Sequence, residues 1–439
     1  MNAVADAGKH DPAVLRIGIL GGGIVGQLAA FALTQSLQES LQIPHRIELF
    51  EHLGPPQPDR QFNANYAARN IVLSNVSVKY LQSLGIWHHL EALLAPIQSL
   101  IVRRQLGRAA SAIRAADEGV GALGYVAELD LLVQKFAELV ASQPNCHCYY
   151  GVRPQALRAV KGGYRLRANH IDSKSAAWAE LNAEHQFDFL LIADGQKSWG
   201  CRQLGIGAMQ TNYDQSALVC RLELQQALGA TSYELFVPGG ALTILPMQQS
   251  QHTSDQCPAG LVWIGAPAAQ QRLSELHSNS FINELQQLLP EALVVTDVGE
   301  RACYPLSQAV RTERCRPNLL VIGNAAQTMH PIAAQSFNLA VRDIRELCKL
   351  WQYPGRSSKV SINTWQGFAE QRNQDARQVG LFVRALNQNF IEARTGWLTE
   401  QLQDLAIRSF ESIPGVKPAL AHFALGGRQL GSRREVVRW

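Results

Sequence analysis

Three separated segments carry residues whose types and spacing suit a nucleotide. In Gly21-Gly22-Gly23-Ile24-Val25-Gly26 the glycines recur as GxGxxG after a short apolar run, Val14 to Leu20. Gly21 then permits a tight turn, Gly23 lets a pyrophosphate approach backbone N–H groups, and Gly26 lets helix pack on strand. A helix opening at Ile24 and Val25 turns its partial positive charge toward the phosphates. Glu51 follows the next short strand and is placed to accept hydrogen bonds from ribose hydroxyls. A carboxylate there would repel a 2′-phosphate, so the adenosine of FAD or NAD fits and that of NADP does not. The second segment is Asp194-Gly195 with Ser198 and Arg202. Such a turn can bring a carboxylate and a backbone amide toward pyrophosphate and ribose, while Arg202 adds positive charge or orients the loop. A surface Asp-Gly turn would look the same by itself. The third segment runs from Gly323-Asn324 to His330-Pro331 and on through Ala334, Ser336, Phe337 and Asn338. A helix starting near Ala334 would aim its first amides at whatever precedes it, an electrostatic support for a bound anion.

The elements that must hold these segments follow from periodicity. Val14–Leu20, a helix over Ile24–Leu37 and a strand over Arg46–Phe50 make a βαβ unit, the entry to a doubly wound sheet. Val76–Leu84 and Leu129–Ala141 read as helices, Cys146–Tyr150 as a strand and Phe187–Ala193 as a buried strand closing on Asp194. From Ala217 to Tyr304 strands alternate with turns and one helix, around Ser280–Leu289, so a mostly antiparallel sheet is predicted there. Leu319–Ile322 and a helix over Ala334–Leu350 return the chain to the first domain, and a helical region follows Ile362.

Length and composition agree with an enzyme of more than one domain. The 439 residues exceed the usual single domain, and 46% apolar with 17% charged residues gives a globular chain with ample core. The net charge of +4 is too small and dispersed for a nucleic-acid footprint. All of it lies after Ala376, where nine basic residues stand against five acidic ones. The eight cysteines lack CxxC spacing and the chain opens without a secretory signal, so a cytoplasmic setting is expected. No transmembrane helix is expected, because the most apolar early stretch is broken by glycines.

The segment Leu190–Arg202 resembles the DGxxSxxR fingerprint of class A flavoprotein aromatic hydroxylases. Leu320–Asp343, with its phrase Gly-Asn-Ala-Ala-Gln-Thr-Met-His-Pro-Ile, is similar to the ubiquinone-biosynthesis hydroxylases of that group, within them to the 2-polyprenyl-6-methoxyphenol hydroxylases. Arg69 before Ile71-Val72-Leu73-Ser74, Tyr304-Pro305-Leu306 and Arg372-x-x-Asp375 also fall where that family has them. The resemblance implies an α/β fold: a Rossmann-like FAD-binding domain of the para-hydroxybenzoate hydroxylase type over residues 14–104, 126–204 and 310–375, an inserted mostly antiparallel β-sheet substrate domain over 105–125 and 205–309, and a C-terminal helical region over 376–439. It implies FAD, transient reduction by NAD(P)H without a second Rossmann domain, and O2 forming a flavin C4a-hydroperoxide that hydroxylates a polyprenyl phenol. Arg69 would then contact the cofactor, Asn324 the ribityl chain, and His330 and Pro331 the reacting face of the ring. For His330 a structural role, hydrogen-bonded to backbone, stands beside that one.

In one place the pattern departs from its relatives. They have Gly-Gln-Gly where this chain has Ala334-Gln335-Ser336, which adds two Cβ atoms close to the flavin. The change is neutral if the local φ is negative; otherwise the flavin seat is altered, and a non-catalytic subunit of a quinone-biosynthesis assembly becomes the competing reading. Another hydroxylase of the same group would differ only in the sheet domain. Cys146-His147-Cys148 reads as a core strand, not a metal site. Tyr213, Phe236, Trp263 and Tyr304 either wall a prenyl-phenol pocket or fill the core. Leu398, Leu402 and Leu405 make a helical apolar stripe, for packing or for peripheral contact with a partner subunit or the inner face of a membrane.

Overall fold

The computed structural model describes residues 14–41, 44–56, 69–105, 110–170, 184–249, 257–352, 362–391 and 403. The apolar stripe at 398, 402 and 405 lies outside them.

A six-stranded sheet runs in the order Cys315–Arg316, Leu319–Val321, Phe189–Ile192, Leu15–Leu20, His45–Glu51, Cys146–Tyr150, all parallel except the first strand. Its inner strands read as continuous apolar runs because both faces are covered. On one face the helices Ile24–Gln35, Leu129–Ala141 and Ser336–Gln352 bury Leu28, Phe136 and Ile344 against Ile17, Ile19 and Leu191. On the other, a three-stranded antiparallel sheet (Val152–Val160, Gly163–His170, Glu184–Phe187) packs Leu157 and Leu166 on Leu20, Ile192 and Val321.

The larger sheet is built around Met209–Leu224, a strand of 16 residues whose register shifts between Asn212 and Gln215. Its ladder continues through Pro258–Gly265, Gly240–Pro246, Thr231–Val237, Ser99–Arg104 and Ala110–Arg114, antiparallel except where Thr231–Val237 meets Ser99–Arg104. One face carries two helices, Pro267–Glu275 and Ser278–Gln286, where the sequence predicted one. The first, Pro-Ala-Ala-Gln-Gln-Arg-Leu-Ser-Glu, buries only Gln270 and Leu273, too little to leave an apolar period. The boundary at 104/105 also needs correction. It cuts a hairpin, since Ser99–Arg104 pairs with Ala110–Arg114 and both belong to the large sheet.

The segment between the two sheets is held from beneath by a buried ionic cluster. Arg372 Nε donates to Asp343 Oδ1 at 2.7 Å and its Nη2 to Asp375, Arg342 pairs with Asp375 at 3.2 Å, and Arg314 reaches Asp343 at 3.4 Å. Arg372-x-x-Asp375, at i and i+3 of the helix Ile362–Leu386, thus clamps that helix to Ser336–Gln352. Among the described residues no helix is long and apolar enough to cross a membrane.

Candidate functional site

All three chemistry-bearing segments leave the carboxyl ends of adjacent parallel strands, where open α/β sheets bind ligands. Gly21 follows Leu15–Leu20 with φ +99°, and a Cβ there would lie 2.5 Å from the Ala193 carbonyl oxygen, just before Asp194. A Cβ on Gly323, at φ +61°, would meet Val25 Cγ1 at 2.9 Å. The glycine loop therefore touches both other segments. Gly26 is tighter still, its Cβ position only 1.8 Å from the Gly21 oxygen.

This cradle fits an anionic dinucleotide. The helix Ile24–Gln35 begins after Gly23 with no side-chain cap and no acidic residue in its first turn, which leaves its first amides open to an anion. Glu51 is buried and accepts from Gly22 N at 2.6 Å and Leu53 N at 2.9 Å. Burial opposes its ionisation, but His52 and these two amides outweigh it and hold the carboxyl below the usual range. A carboxylate has about four lone-pair sites, so capacity for a ribose hydroxyl remains. Asp194 accepts from Gly200 N at 2.9 Å through Oδ2, while Oδ1 is buried without a hydrogen-bond partner. Burial raises this carboxyl, an arrangement that a hydroxyl donor from a ligand would relieve. Gly195, at φ +82°, supplies the turn, and Ser198 caps the short helix Trp199–Gln203 through Cys201 N at 3.0 Å. Arg202 is exposed and bonds the Lys197 carbonyl, so in this structure it orients the loop.

The third segment departs from expectation at Ala334. Ala334 adopts φ +48° and ψ +35°, the left-handed region that favours glycine, so the negative φ that would make the replacement neutral is not found. The helix accordingly starts at Ser336 and not at Ala334. Ala334 N donates to Pro331 O at 2.8 Å, and Asn338 Nδ2 donates to Ala334 O at 2.9 Å. Asn338 also donates to Val72 O and accepts from Ser74 N and Ser77 Oγ, which binds this helix to the strand Asn70–Ser74. Its amide is spent on protein contacts. Ser336 Oγ accepts from Met329 N at 3.2 Å, and Asn324 is exposed at the Gly323–Ala325 turn.

His330 and Pro331 have different surroundings. His330 is 1% exposed, with Nε2 at 2.8 Å from Gln215 Oε1, Nδ1 accepting from Ile332 N at 3.3 Å, and Tyr213 edge-on at 4.9 Å. Burial pushes its pKa down to about 4, so it is neutral, with the proton on Nε2. Pro331 instead lines a cavity of about 370 Å³ between the third segment and the large sheet, together with Ala334, Ser336, Phe337 and Asn338. Of the four aromatics considered from sequence, Phe236 lines this cavity; Trp263 packs near Phe281, Tyr213 on His330, and Tyr304 under the Arg69 guanidinium, 3.9 Å from its ring centre. Sequence reading passed over Glu234 and Thr243, which also line the cavity. In Thr231–Val237, Thr-Ser-Tyr-Glu-Leu-Phe-Val, the polar residues fall in the first half and the apolar ones in the second, so no alternation marks the face that Ser232, Glu234 and Phe236 share.

A family model described as an FAD binding domain matches residues 59–356. The chain is 25% identical over 331 residues to the 3-demethoxyubiquinol 3-hydroxylase of Escherichia coli (strain K12), covering 75% of this chain and 78% of that protein. It is also 25% identical over 375 residues to the mitochondrial ubiquinone biosynthesis monooxygenase COQ6 of Xenopus tropicalis, covering 76% of each. Among solved structures, the p-nitrophenol 4-monooxygenase PnpA of Pseudomonas putida DLL-E4 superposes with a TM-score of 0.74 at 14% identity, over 95% of this chain and 100% of that one. PqsL of P. aeruginosa gives 0.70 at 17%, over 86% and 97%. These two show a shared fold. With the family model spanning well over half its length, the chain belongs to the FAD binding domain family and is an FAD-dependent monooxygenase.

Proposed function

We propose that this flavoprotein hydroxylates the ring of a 2-polyprenyl-6-methoxyphenol in ubiquinone biosynthesis, using NAD(P)H and O2. The observation that carries this reading is the largely apolar cavity of about 370 Å³, walled on one side by Pro331 to Asn338 and on the other by the large sheet. Its volume lies in the range of small-molecule sites, about 300–1,000 Å³. The names of the relatives in Escherichia coli and Xenopus tropicalis support the ubiquinone assignment. Pyrophosphate would lie over Gly21, Gly23, Gly26 and the amides of Ile24 and Val25, with ribose hydroxyls at Glu51 and Asp194. Bound FAD supplies the activation of oxygen and its transfer to the ring; the protein positions the phenol, keeps the cavity dry and orders the segment beside the flavin. A polyprenyl tail must be drawn from lipid, and the basic residues after Ala376 suit an anionic membrane face or a partner subunit. Salt-sensitive sedimentation with anionic vesicles, lost on truncation after Gln388, tests that contact.

Ala334 in a left-handed conformation favours one competing reading, a scaffold that binds FAD weakly. Purified protein separates the two. A yellow preparation whose NADH oxidation rises with prenylphenol, with one oxygen atom gained by the phenol in mass spectra, supports the hydroxylase; colourless protein that FAD cannot reconstitute refutes it.

A further inference from the structure

Successive residues of Thr231–Val237 point to opposite faces of the sheet. Leu235 and Val237 join the apolar core beneath the two helices, whereas Ser232, Glu234 and Phe236 line the cavity. Across the sheet Glu234 stands beside Val102 and Thr243, and beyond them Ser111 and Val262. Thr243 Oγ1 donates to Glu234 Oε2 at 2.7 Å. Oε1 is shielded from solvent and has no hydrogen-bond partner. The opposite wall presents Met329, Pro331 and Ile332, and the helix Ile362–Leu386 adds Phe382 and Leu386. Among the described residues lining this cavity Glu234 is the only titratable one. Arg104, paired with Phe236 and two residues beyond Val102 on the neighbouring strand, is not part of the lining. A half-satisfied carboxyl on an apolar wall is costly to retain unless a ligand completes its hydrogen bonds.

We propose that Glu234 is the recognition and acid–base residue of this cavity, its Oε1 taking the ring hydroxyl of a phenolic substrate whose apolar body covers the rest of the wall. The assignment rests on the aromatic-hydroxylase reading above. The phenol O–H bond breaks, an O–H bond forms on Oε1, and the electron pair stays on the ring oxygen, enriching the ring carbons ortho and para to it. One of these receives oxygen from the FAD-dependent reaction. When that carbon loses its hydrogen as a proton, which ends in the water that the monooxygenase reaction forms, the ring regains aromaticity and the ring oxygen recovers a proton from Oε1. Burial supports the role, since it lifts the carboxyl to about 8, so that its ionised form is a stronger base than an exposed carboxylate.

The test uses the FAD-loaded full chain with 2-geranyl-6-methoxyphenol and its O-methyl ether, comparing wild type with Glu234→Gln and Glu234→Leu. Calorimetric binding reads recognition without turnover. Wild type is expected to prefer the phenol by at least tenfold, and Glu234→Leu to lose that preference while binding the ether undiminished. In turnover, kcat/KM for wild type rises with pH through the carboxyl's ionisation, whereas Glu234→Gln, which keeps the side-chain volume, falls by about 100-fold and loses the rise. Equal wild-type affinity for phenol and ether, or a preference that survives in Glu234→Leu, overturns the proposal. So does an unaltered pH profile in an active Glu234→Gln. A wild type that prefers the phenol yet never hydroxylates it refutes the hydroxylase reading and leaves Glu234 as the recognition group.

Discussion

Ala334 and Ser336 stand where the family resemblance implies two glycines, and the structure gives them opposite energetic signs. Ala334 sits at φ +48° on the cavity wall, in a region that costs an L-residue about 1–2 kcal/mol relative to glycine. Ala334→Gly relieves that strain but returns about 0.4–1 kcal/mol of chain entropy to the unfolded state. The net expectation is a protein more stable by about 0.5–1 kcal/mol. Ser336 opens a helix and its Oγ accepts from the amide of Met329, a residue 4% exposed. Ser336→Gly strips that buried donor of its partner, which costs roughly 1–3 kcal/mol.

Urea unfolding of the two variants with FAD absent, followed by tryptophan fluorescence, measures both changes against wild type. The midpoint should move up for Ala334→Gly and down for Ser336→Gly, with unchanged slopes. The same two proteins, titrated with FAD, show which replacement alters the flavin seat. If Ala334→Gly lowers the midpoint, the methyl group contributes more packing than the backbone loses in strain, and the reasoning from φ is refuted.

Other expectations follow from the geometry of the motifs and their support. Gly26→Ala should abolish stoichiometric FAD in the purified protein, because its Cβ would lie 1.8 Å from the Gly21 oxygen and must push the loop off the helix; full flavin content would contradict this. Asp343→Asn should destabilise by about 3–5 kcal/mol in urea, since it leaves Arg372 and Arg314 buried beside a neutral amide; a loss below about 1 kcal/mol would mean the cluster is not structural. His330 carries a pH signature. Its folded pKa, about 4, lies below the unfolded value of about 6.5, so the unfolded chain binds the extra proton and stability falls as pH drops from 6.5 toward 4, by about 3 kcal/mol at most. Urea midpoints for His330→Gln should lack that component between pH 6.5 and 4, and a wild-type profile flat over the same interval would remove the case for a buried neutral imidazole.

How far the sequence could be read depended on whether a residue's role was local. The glycine loop was legible because Gly21 and Gly26 answer constraints within a single strand-turn-helix, a positive φ and a Cβ clash with the same loop. The strands Leu15–Leu20 and Phe189–Ile192 were legible because burial on both faces leaves an unbroken apolar run. Arg372 and Asp375 fell where a family pattern placed them, but their partners Asp343 and Arg342 come from another helix, about 30 positions earlier, that no spacing reveals. The φ of Ala334 was not legible for the same reason. Its φ is imposed by the Pro331–Ala333 turn and by Asn338, itself fixed by Val72, Ser74 and Ser77 more than 260 positions earlier.

Glu234 is the sharpest case, because no local pattern marks it. Its strand shows no polar–apolar alternation, and only the third segment and the helix Ile362–Leu386, folding over its face, make that face a cavity wall. The three nucleotide segments show how FAD can be gripped, yet what the chain acts on depends on a face whose environment arises only when both sheets are assembled. A change confined to Ser232, Glu234 and Thr243 would therefore be expected to move substrate choice while leaving flavin content intact.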